Sequence, residues 1–338
     1  MAIKTQSFMI KNQKYPYLIA EAGVAHFGSM RKALDLLKAA VEANCDAFKI
    51  QVFSADTLFA NEAKGWKKRL KDRVLKIEEI IELSKLCEES KIDFIITPHD
   101  EYILPYLKDI NIKALKIGSG EVGNLPFISK CFDYCDHLIY STGLSNITDI
   151  DNVIDIAKSK EKDLSILHCN TSYPTKDIEV NLSVIKKFSE LYKEYTIGYS
   201  DHTPDHLACI NSICFGAKII ERHITLEKDI PNAQDWKVAS LPNELKELRV
   251  SLNRTFNQIG SNEKFVTDSA KENIFWACKS PYLKEAVKKG EILIRKNFEM
   301  KRPFTGTKYE DIDPQKKYIF CDNLPAGSAI NIENLKII

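Results

Sequence analysis

YLIAEAG at 17–23, MRKALDLLKAAVEAN at 30–44 and DAFKIQVF at 46–53 decide how this chain folds. The first and third runs are short, apolar and bounded by turn residues, as buried strands are. The middle run repeats its apolar positions at helical spacing. A strand, a helix and a second strand in succession form a crossover unit, which makes the two strands parallel. The pattern continues down the chain. Strand-like runs recur at DFIITP (93–98), KALKIGSG (113–120), HLIYSTG (137–143), DLSILHC (163–169), YTIGYSD (195–201) and AKIIERHITL (217–226). Helical patterns such as VLKIEEIIELSKLCEES (74–90) and ITDIDNVIDIAKSK (147–160) lie between them. Eight such units in roughly 240 residues predict an α/β chain folded as a (β/α)₈ TIM barrel over residues 1–260. An open doubly wound sheet is the alternative, but no GxGxxG marks the first turn.

Composition narrows the functional classes. The 338 residues are 44% hydrophobic and 28% charged, ordinary for a globular protein with a large core. Forty-eight basic and 47 acidic residues leave a formal net charge of +1. Nucleic-acid and membrane-surface partners, which need a surplus of positive charge, are therefore not expected. The nine cysteines are scattered, without a CxxC pair. Cys131 and Cys135 have a spacing that suits two thiols on one helix. A reduced, cytoplasmic protein is expected. MAIKTQSFMIKNQKYPY at the start has no apolar run long enough for a signal peptide or a membrane span. The polar stretch 261–275 reads as a linker. Beyond it, KEAVKKGEILIRKNFEMKRP (284–303) and LPAGSAINIENLKII (324–338) read as short strands and turns, so residues 276–338 form a separate small β-rich domain.

Catalytic groups of such barrels gather at the C-terminal ends of the strands. Glu21 lies there on the first strand, Lys49 and Gln51 on the second, Thr97 on the third, and Lys116, Ser119 and Glu121 at the fourth. Ser141 and Thr142 end the fifth. His168, Thr171 and Tyr173 follow the sixth, Ser200, Asp201 and His202 end the seventh, and Glu221 and His223 lie on the eighth. Two lysines and several hydroxyls at one mouth suit a phosphate and a carboxylate, although any one such lysine is more often ion-paired or solvated. His202 and His223 end neighbouring strands, where two imidazoles could hold a divalent ion or stand as hydrogen-bonded core residues. Spacing alone leaves both open.

AEAGVAHFGS (20–29), FKIQVF (48–53), ITPHD (96–100), KIGSGE (116–121), STG (141–143), LHCNTSYP (167–174), GYSDHT (198–203) and ERHITL (221–226) occur in the order found in sialic acid synthases. The chain resembles that family over the whole barrel, and KKGE…KRP (288–303) resembles its antifreeze-like (SAF) domain. The resemblance implies condensation of phosphoenolpyruvate with the open-chain aldehyde of an N-acylated hexosamine. Water adds at C2, phosphate leaves with C–O cleavage, and a nine-carbon 2-keto acid results. It implies His202 and His223 as ligands of a divalent metal, manganese first, with magnesium or cobalt as alternatives. Lys49, Gln51, Thr97, Lys116, Ser119, Ser141, Thr171 and Ser200 would hold phosphoenolpyruvate. Glu21 would be the acid/base, with Glu121 and Tyr173 beside it, and Asp235, Trp236 and Arg302 would meet the sugar. A domain-swapped homodimer is implied as well, in which Arg302 serves the other protomer.

This chain departs from the family pattern at several places. Ala25-His26 stands for the usual NH, TPHD for TPFD, and Thr171 for an Asn-type residue. NAQDWKVAS (232–240) stands for GPDHKAS, so Trp236 replaces a histidine next to Asp235, and KSPYL (279–283) lacks expected arginines. Two other readings compete with the synthase. One is a metal-dependent pyruvate aldolase or lyase on the same barrel, which would release no phosphate. The other is an inactive barrel with a carbohydrate-binding terminal domain, against which Glu21, Lys49, Lys116, His202 and His223 are all present.

Overall fold

A computed structural model describes residues 15–338 except Asn232 and Gln234. The start of the chain, read above as lacking a signal peptide, lies outside the described residues up to position 14. Two compact units result, Met1–Gly260 and Ser261–Ile338.

The first unit is a closed barrel. Its strands are β1 (Tyr17–Gly23), β2 (Ala47–Val52), β3 (Asp93–Pro98), β4 (Ala114–Ile117), β5 (His137–Ser141), β6 (Asp163–Cys169), β7 (Thr196–Asp201) and β8 (Ile219–Ile224). They pair in sequence order, all parallel, and β8 closes onto β1. A two-residue β9 (Ala239–Ser240) adds to β8.

Alternation along each strand stacks the interior in layers. Tyr17, Ile19, Ala47, Ile95, Ala114, Ile139, Leu167 and Ile219 form one buried apolar cluster. Two residues further along the same strands come Glu21, Lys49, Thr97, Lys116, Ser141, Cys169 and Glu221, with Ser200 two beyond Gly198. An apolar floor thus carries a polar layer at the C-terminal mouth. Gly198 lies on that inner face because no side chain fits there: a Cβ would stand 2.4 Å from Leu167 and 2.5 Å from the Ile219 carbonyl.

Helices cover the outside. Met30–Glu42 starts where the Ser29 hydroxyl accepts from the Lys32 amide, and it buries Ala33, Leu36, Leu37 and Ala40 toward the strands. Each leucine so buried contributes about 1.5–3 kcal/mol. Ile77–Glu89 and Ile147–Ser159 repeat the arrangement. The region between β2 and Ile77 gave no element from its sequence, since its charges break any apolar period. It holds three short helical turns, Ala55–Leu58, Asn61–Ala63 and Lys64–Leu70.

Two readings are corrected. β4 ends at Ile117, because Gly118 leads into a 3₁₀ turn at Ser119–Glu121. Cys131 and Cys135 do not share a helix. The helix Leu125–Cys131 stops first, and Cys135 donates back to the Cys131 carbonyl at 3.5 Å. All nine cysteines are free.

The second unit pairs β10 (Ser280–Leu283) with β11 (Phe298–Lys301) and β12 (Tyr318–Phe320) with β13 (Leu335–Ile337), both antiparallel. Leu283, Val287, Phe298, Phe320 and Ile330 form its core. The stretch read as a linker groups with this unit and carries a helical turn, Asp268–Lys271, capped by Thr267. Among the described residues no helix is long and apolar enough to cross a membrane.

Candidate active site

Four charged side chains meet in the polar layer, Glu21, Lys49, Lys116 and Glu221, each between 1% and 4% exposed. Lys49 Nζ lies 2.6 Å from Glu21 and 3.7 Å from Glu221, and donates to Thr97 Oγ1 at 3.0 Å. Lys116 Nζ donates to both Glu221 oxygens at 2.9 Å. Ser200 donates to Glu221 at 3.0 Å, and Gln51 donates to Glu21 at 3.0 Å. Strand register brings this about, since Glu21 stands level with both Lys49 and His223, and Ser200 with Glu221.

Buried charges persist only when paired, and these are paired unequally. Burial pushes the Glu21 carboxyl above its ordinary range, against the pull of Lys49. Burial acts the same way on Glu221, but Lys116 and Lys49 together outweigh it and hold that carboxyl well below the ordinary range. Two carboxylates in one layer are thus driven apart, as an acid/base group and a fixed anion are in catalytic sites. The Ser141 hydroxyl is buried beside them without a hydrogen-bond partner. Such an atom marks a place where a bound molecule would complete the network.

On the next turn of the mouth stand His202 and His223, with ring centroids 5.3 Å apart. The Tyr173 ring lies 4.1 Å from His202 and 6.2 Å from His223. His202 Nδ1 faces the Asn170 carbonyl at 2.6 Å and donates its hydrogen there. Burial and the neighbouring His202 keep His223 neutral, far below the usual imidazole value. At His202 burial also disfavours charge, but the Cys169 sulfur, 3.7 Å from Nδ1, and the Asn170 carbonyl raise it. An oriented imidazole beside a neutral one, with the far nitrogen of the first anchored to a carbonyl, fits a metal ligand pair. Among the described residues no group of three or more His, Cys, Asp and Glu is arranged as a metal site. The protein would supply two ligands and leave the remaining positions to substrate and water.

Beside this centre opens a cavity of about 300 Å³. His223, Gln51 and Asp235 form its polar edge, and Phe53, Phe59 and Trp236 belong to its apolar walls. Asp235 begins a 3₁₀ turn, Asp235–Val238, and burial raises its carboxyl pKa against His202, Arg73 and Lys49. His99 lines the same cavity, held neutral at about 4 by burial and by Lys49.

The remaining sequence candidates fall as follows. Ser119 Oγ accepts from the Gly143 amide at 2.9 Å. Thr171 packs against the same backbone, where a Cβ on Gly143 would stand 2.3 Å from Thr171 Oγ1. Glu121 is half-buried and accepts from Asn124 at 2.8 Å. Arg302 belongs to the second unit, exposed, with its guanidinium 5.9 Å from the Trp276 ring. Two residues read at the strand ends face away from the mouth. His168 meets the Val180 carbonyl at 2.7 Å, and Asp201 is buried in an ion pair with Arg222. Both are one position out of step with the inward residues of their strands.

Glu221 was read among the strand-end residues but given no role, yet it organises both lysines. Its spacing from Ile219 and His223 places it on the inner face, a signal present in the sequence. Trp66, Arg69 and Arg73 also line the cavity and were not foreseen. They lie in the short-turn segment after β2, which shows no periodicity.

A parallel barrel with paired lysines and carboxylates at its mouth, two imidazoles above them and an adjoining cavity has the architecture of an enzyme active site. The NeuB family model matches residues 36–264, and the chain belongs to that family. It is 32% identical to the N,N'-diacetyllegionaminic acid synthase of Campylobacter jejuni, over 87% of this chain and 92% of that protein. Against the enzyme of the same name from Legionella pneumophila it is 31% identical, over 95% and 94%. Among solved structures, the N-acetylneuraminic acid synthetase of Leptospira borgpetersenii superposes with a TM-score of 0.72 at 30% identity, covering 77% of this chain and 90% of that one.

Proposed function

We propose that this chain condenses phosphoenolpyruvate with the aldehyde of an acylated amino-sugar, releasing phosphate and a nine-carbon 2-keto acid for surface-glycan synthesis in the cytoplasm. The observation that carries this reading is the buried quartet of Glu21, Lys49, Lys116 and Glu221. It provides two fixed ammonium groups for a trianionic substrate and one carboxyl whose pKa is lifted for proton transfer.

Lys49, Lys116, Thr97, Ser119, Ser141, Thr171 and Ser200 hold phosphoenolpyruvate, with Gln51 keeping Glu21 oriented. The vinyl carbon of phosphoenolpyruvate attacks the aldehyde carbon, a water oxygen adds at C2, and the C2–O bond to phosphate breaks. Glu21 takes the proton that this water loses and passes it to the former aldehyde oxygen, and the proton of the new C2 hydroxyl leaves with the phosphate as the ketone forms. Glu121 and Tyr173 border the reacting atoms. His202 and His223 would hold a divalent ion, manganese by family resemblance, whose chemistry when bound is Lewis-acid polarisation of a substrate oxygen.

Asp235 accepts from sugar hydroxyls, and Trp236 gives the cavity an apolar wall there. An indole beside the sugar-binding carboxylate favours a deoxygenated, bis-acylated hexosamine over N-acetylmannosamine, and the names of the Campylobacter and Legionella relatives point the same way. The test is phosphate release from phosphoenolpyruvate across a panel of acceptors. The bis-acylated 6-deoxy sugar should lead by about 10- to 200-fold in kcat/KM. N-acetylmannosamine as the best acceptor would refute the role given to Trp236, and phosphate-free cleavage or synthesis would favour the aldolase.

The second unit, an antifreeze-like (SAF) domain in this reading, places Arg302 at the acceptor of the other protomer in a swapped homodimer. Co-expressing Glu21→Gln with Arg302→Ala should restore about a quarter of wild-type activity, because each heterodimer regains one intact site. A mixture that stays inactive would place Arg302 outside the partner's site.

A further inference from the structure

His99 stands two residues beyond Thr97, as His202 does beyond Ser200 and His223 beyond Glu221, so its ring belongs to the same level of the mouth. The ladder reaches far enough to fix it there, because the His99 amide donates to the Val52 carbonyl at 3.1 Å. Gly118, just past β4, leaves room for the ring, since a Cβ there would lie 3.6 Å from His99 Cε1. The ring also meets Phe53 edge-on, with centroids 6.2 Å apart. Packing therefore sets its place, yet neither ring nitrogen is hydrogen-bonded among the described residues. His99 lines the cavity beside the quartet. Other polar groups of that lining are committed, Gln51 to Glu21 and Thr225 to the Glu227 carbonyl at 2.8 Å. The imidazole keeps one N–H donor and one lone pair for a bound molecule.

We propose that His99 is a specificity-determining residue for the acceptor, donating a hydrogen bond to the first oxygen beyond the aldehyde, an acyl carbonyl or a hydroxyl. This rests on the synthase reading and names what recognises the reacting end of the sugar. The aldehyde oxygen is assigned to the imidazole pair at the same level, and phosphoenolpyruvate to the lysines one layer below. The next oxygens of the sugar then pass the end of the cavity where His99 stands. Burial and the Lys49 charge keep the ring uncharged, with its pKa at about 4. It can thus donate to a neutral oxygen without setting a third cation beside the two lysines. A phenyl ring at this position would give the sugar the same flat wall and no donor.

The experiment compares wild type with His99→Phe, His99→Asn and His99→Gln on two acceptors, a 2,4-diacetamido-2,4,6-trideoxyhexose and N-acetylmannosamine. Phenylalanine keeps a flat ring against Phe53 and loses both nitrogens, so that variant is expected to fold. Its kcat/KM should fall about 10- to 100-fold for both sugars, which share the reacting end, while the KM for phosphoenolpyruvate stays within about twofold. Asparagine carries an amide near the place of Nδ1 and glutamine near that of Nε2. One of them should exceed His99→Phe by about fivefold or more. Unchanged acceptor kinetics in His99→Phe, a loss confined to one sugar, a parallel rise in the phosphoenolpyruvate KM, or a loss that neither amide recovers would overturn the assignment. If neither sugar releases phosphate, the synthase reading fails, and calorimetric titration of the diacetamido sugar still decides this one. Weaker binding to His99→Phe than to wild type supports it, and equal or absent binding to both proteins refutes it.

Discussion

Glu21→Gln is expected to lower turnover by roughly a hundred-fold or more while leaving a folded barrel. Glutamine keeps the shape and can still accept from Gln51 but cannot take a proton. Lys49 does not become an isolated buried charge, because Thr97 at 3.0 Å and Glu221 at 3.7 Å remain beside it. The pH profile separates a catalytic role from a structural one. Burial raises the Glu21 pKa, so its carboxylate, the form that accepts a proton, is lost as pH falls through a value above the ordinary glutamate range. The acid limb of kcat/KM should therefore lie above that range in wild type and vanish in the variant. The stability signs differ between the two carboxylates. Protonated Glu21 favours the fold at low pH, and that contribution fades as pH rises through its raised pKa. Glu221, held low by Lys116 and Lys49, contributes above the ordinary range, and its contribution is lost on acidification. Near-normal turnover per folded Glu21→Gln molecule would remove Glu21 from catalysis.

Removing divalent metal should have an effect at least as large. Chelated enzyme is expected to lose more than about a hundred-fold in rate, and manganese should restore it. His202→Ala and His223→Ala should each abolish that restoration and the rise in melting temperature that manganese gives wild type. Among the described residues this imidazole pair stands without a third ligand, so the ion should exchange readily. Full turnover by metal-free protein would show that the two histidines serve another purpose.

The barrel was legible because its strands are buried on both sides and stand out as continuous apolar runs between amphipathic helices. The mouth was largely legible for a related reason. Once Ile19, Ala47, Ile95 and Ala114 are the floor, alternation alone raises Glu21, Lys49, Thr97 and Lys116 above it. The same alternation turns His168 and Asp201 outward, which a list of strand-end residues does not distinguish. Glu221 was legible as a residue of the mouth but its role was not, since its pairing with both lysines depends on three separate strands meeting across the barrel. Arg69 and Arg73 were illegible for a different reason. Their place at the cavity depends on how an aperiodic stretch of short turns settles on the barrel, and no local pattern encodes that. Arg302 lies in the second unit, where its exposed stacking on Trp276 carries no signature of a substrate contact.

Phosphoenolpyruvate labelled with oxygen-18 in the C2–O–P bridge, incubated with enzyme, manganese and a diacetamido-trideoxyhexose, tests the proposed chemistry at the bond that breaks. The quartet of Glu21, Lys49, Lys116 and Glu221 is expected to release one phosphate per nine-carbon keto acid, with the label in the phosphate. Label retained at C2 of the product, or a keto acid formed without phosphate release, would contradict water addition at C2 and the roles assigned to the two lysines and Glu21.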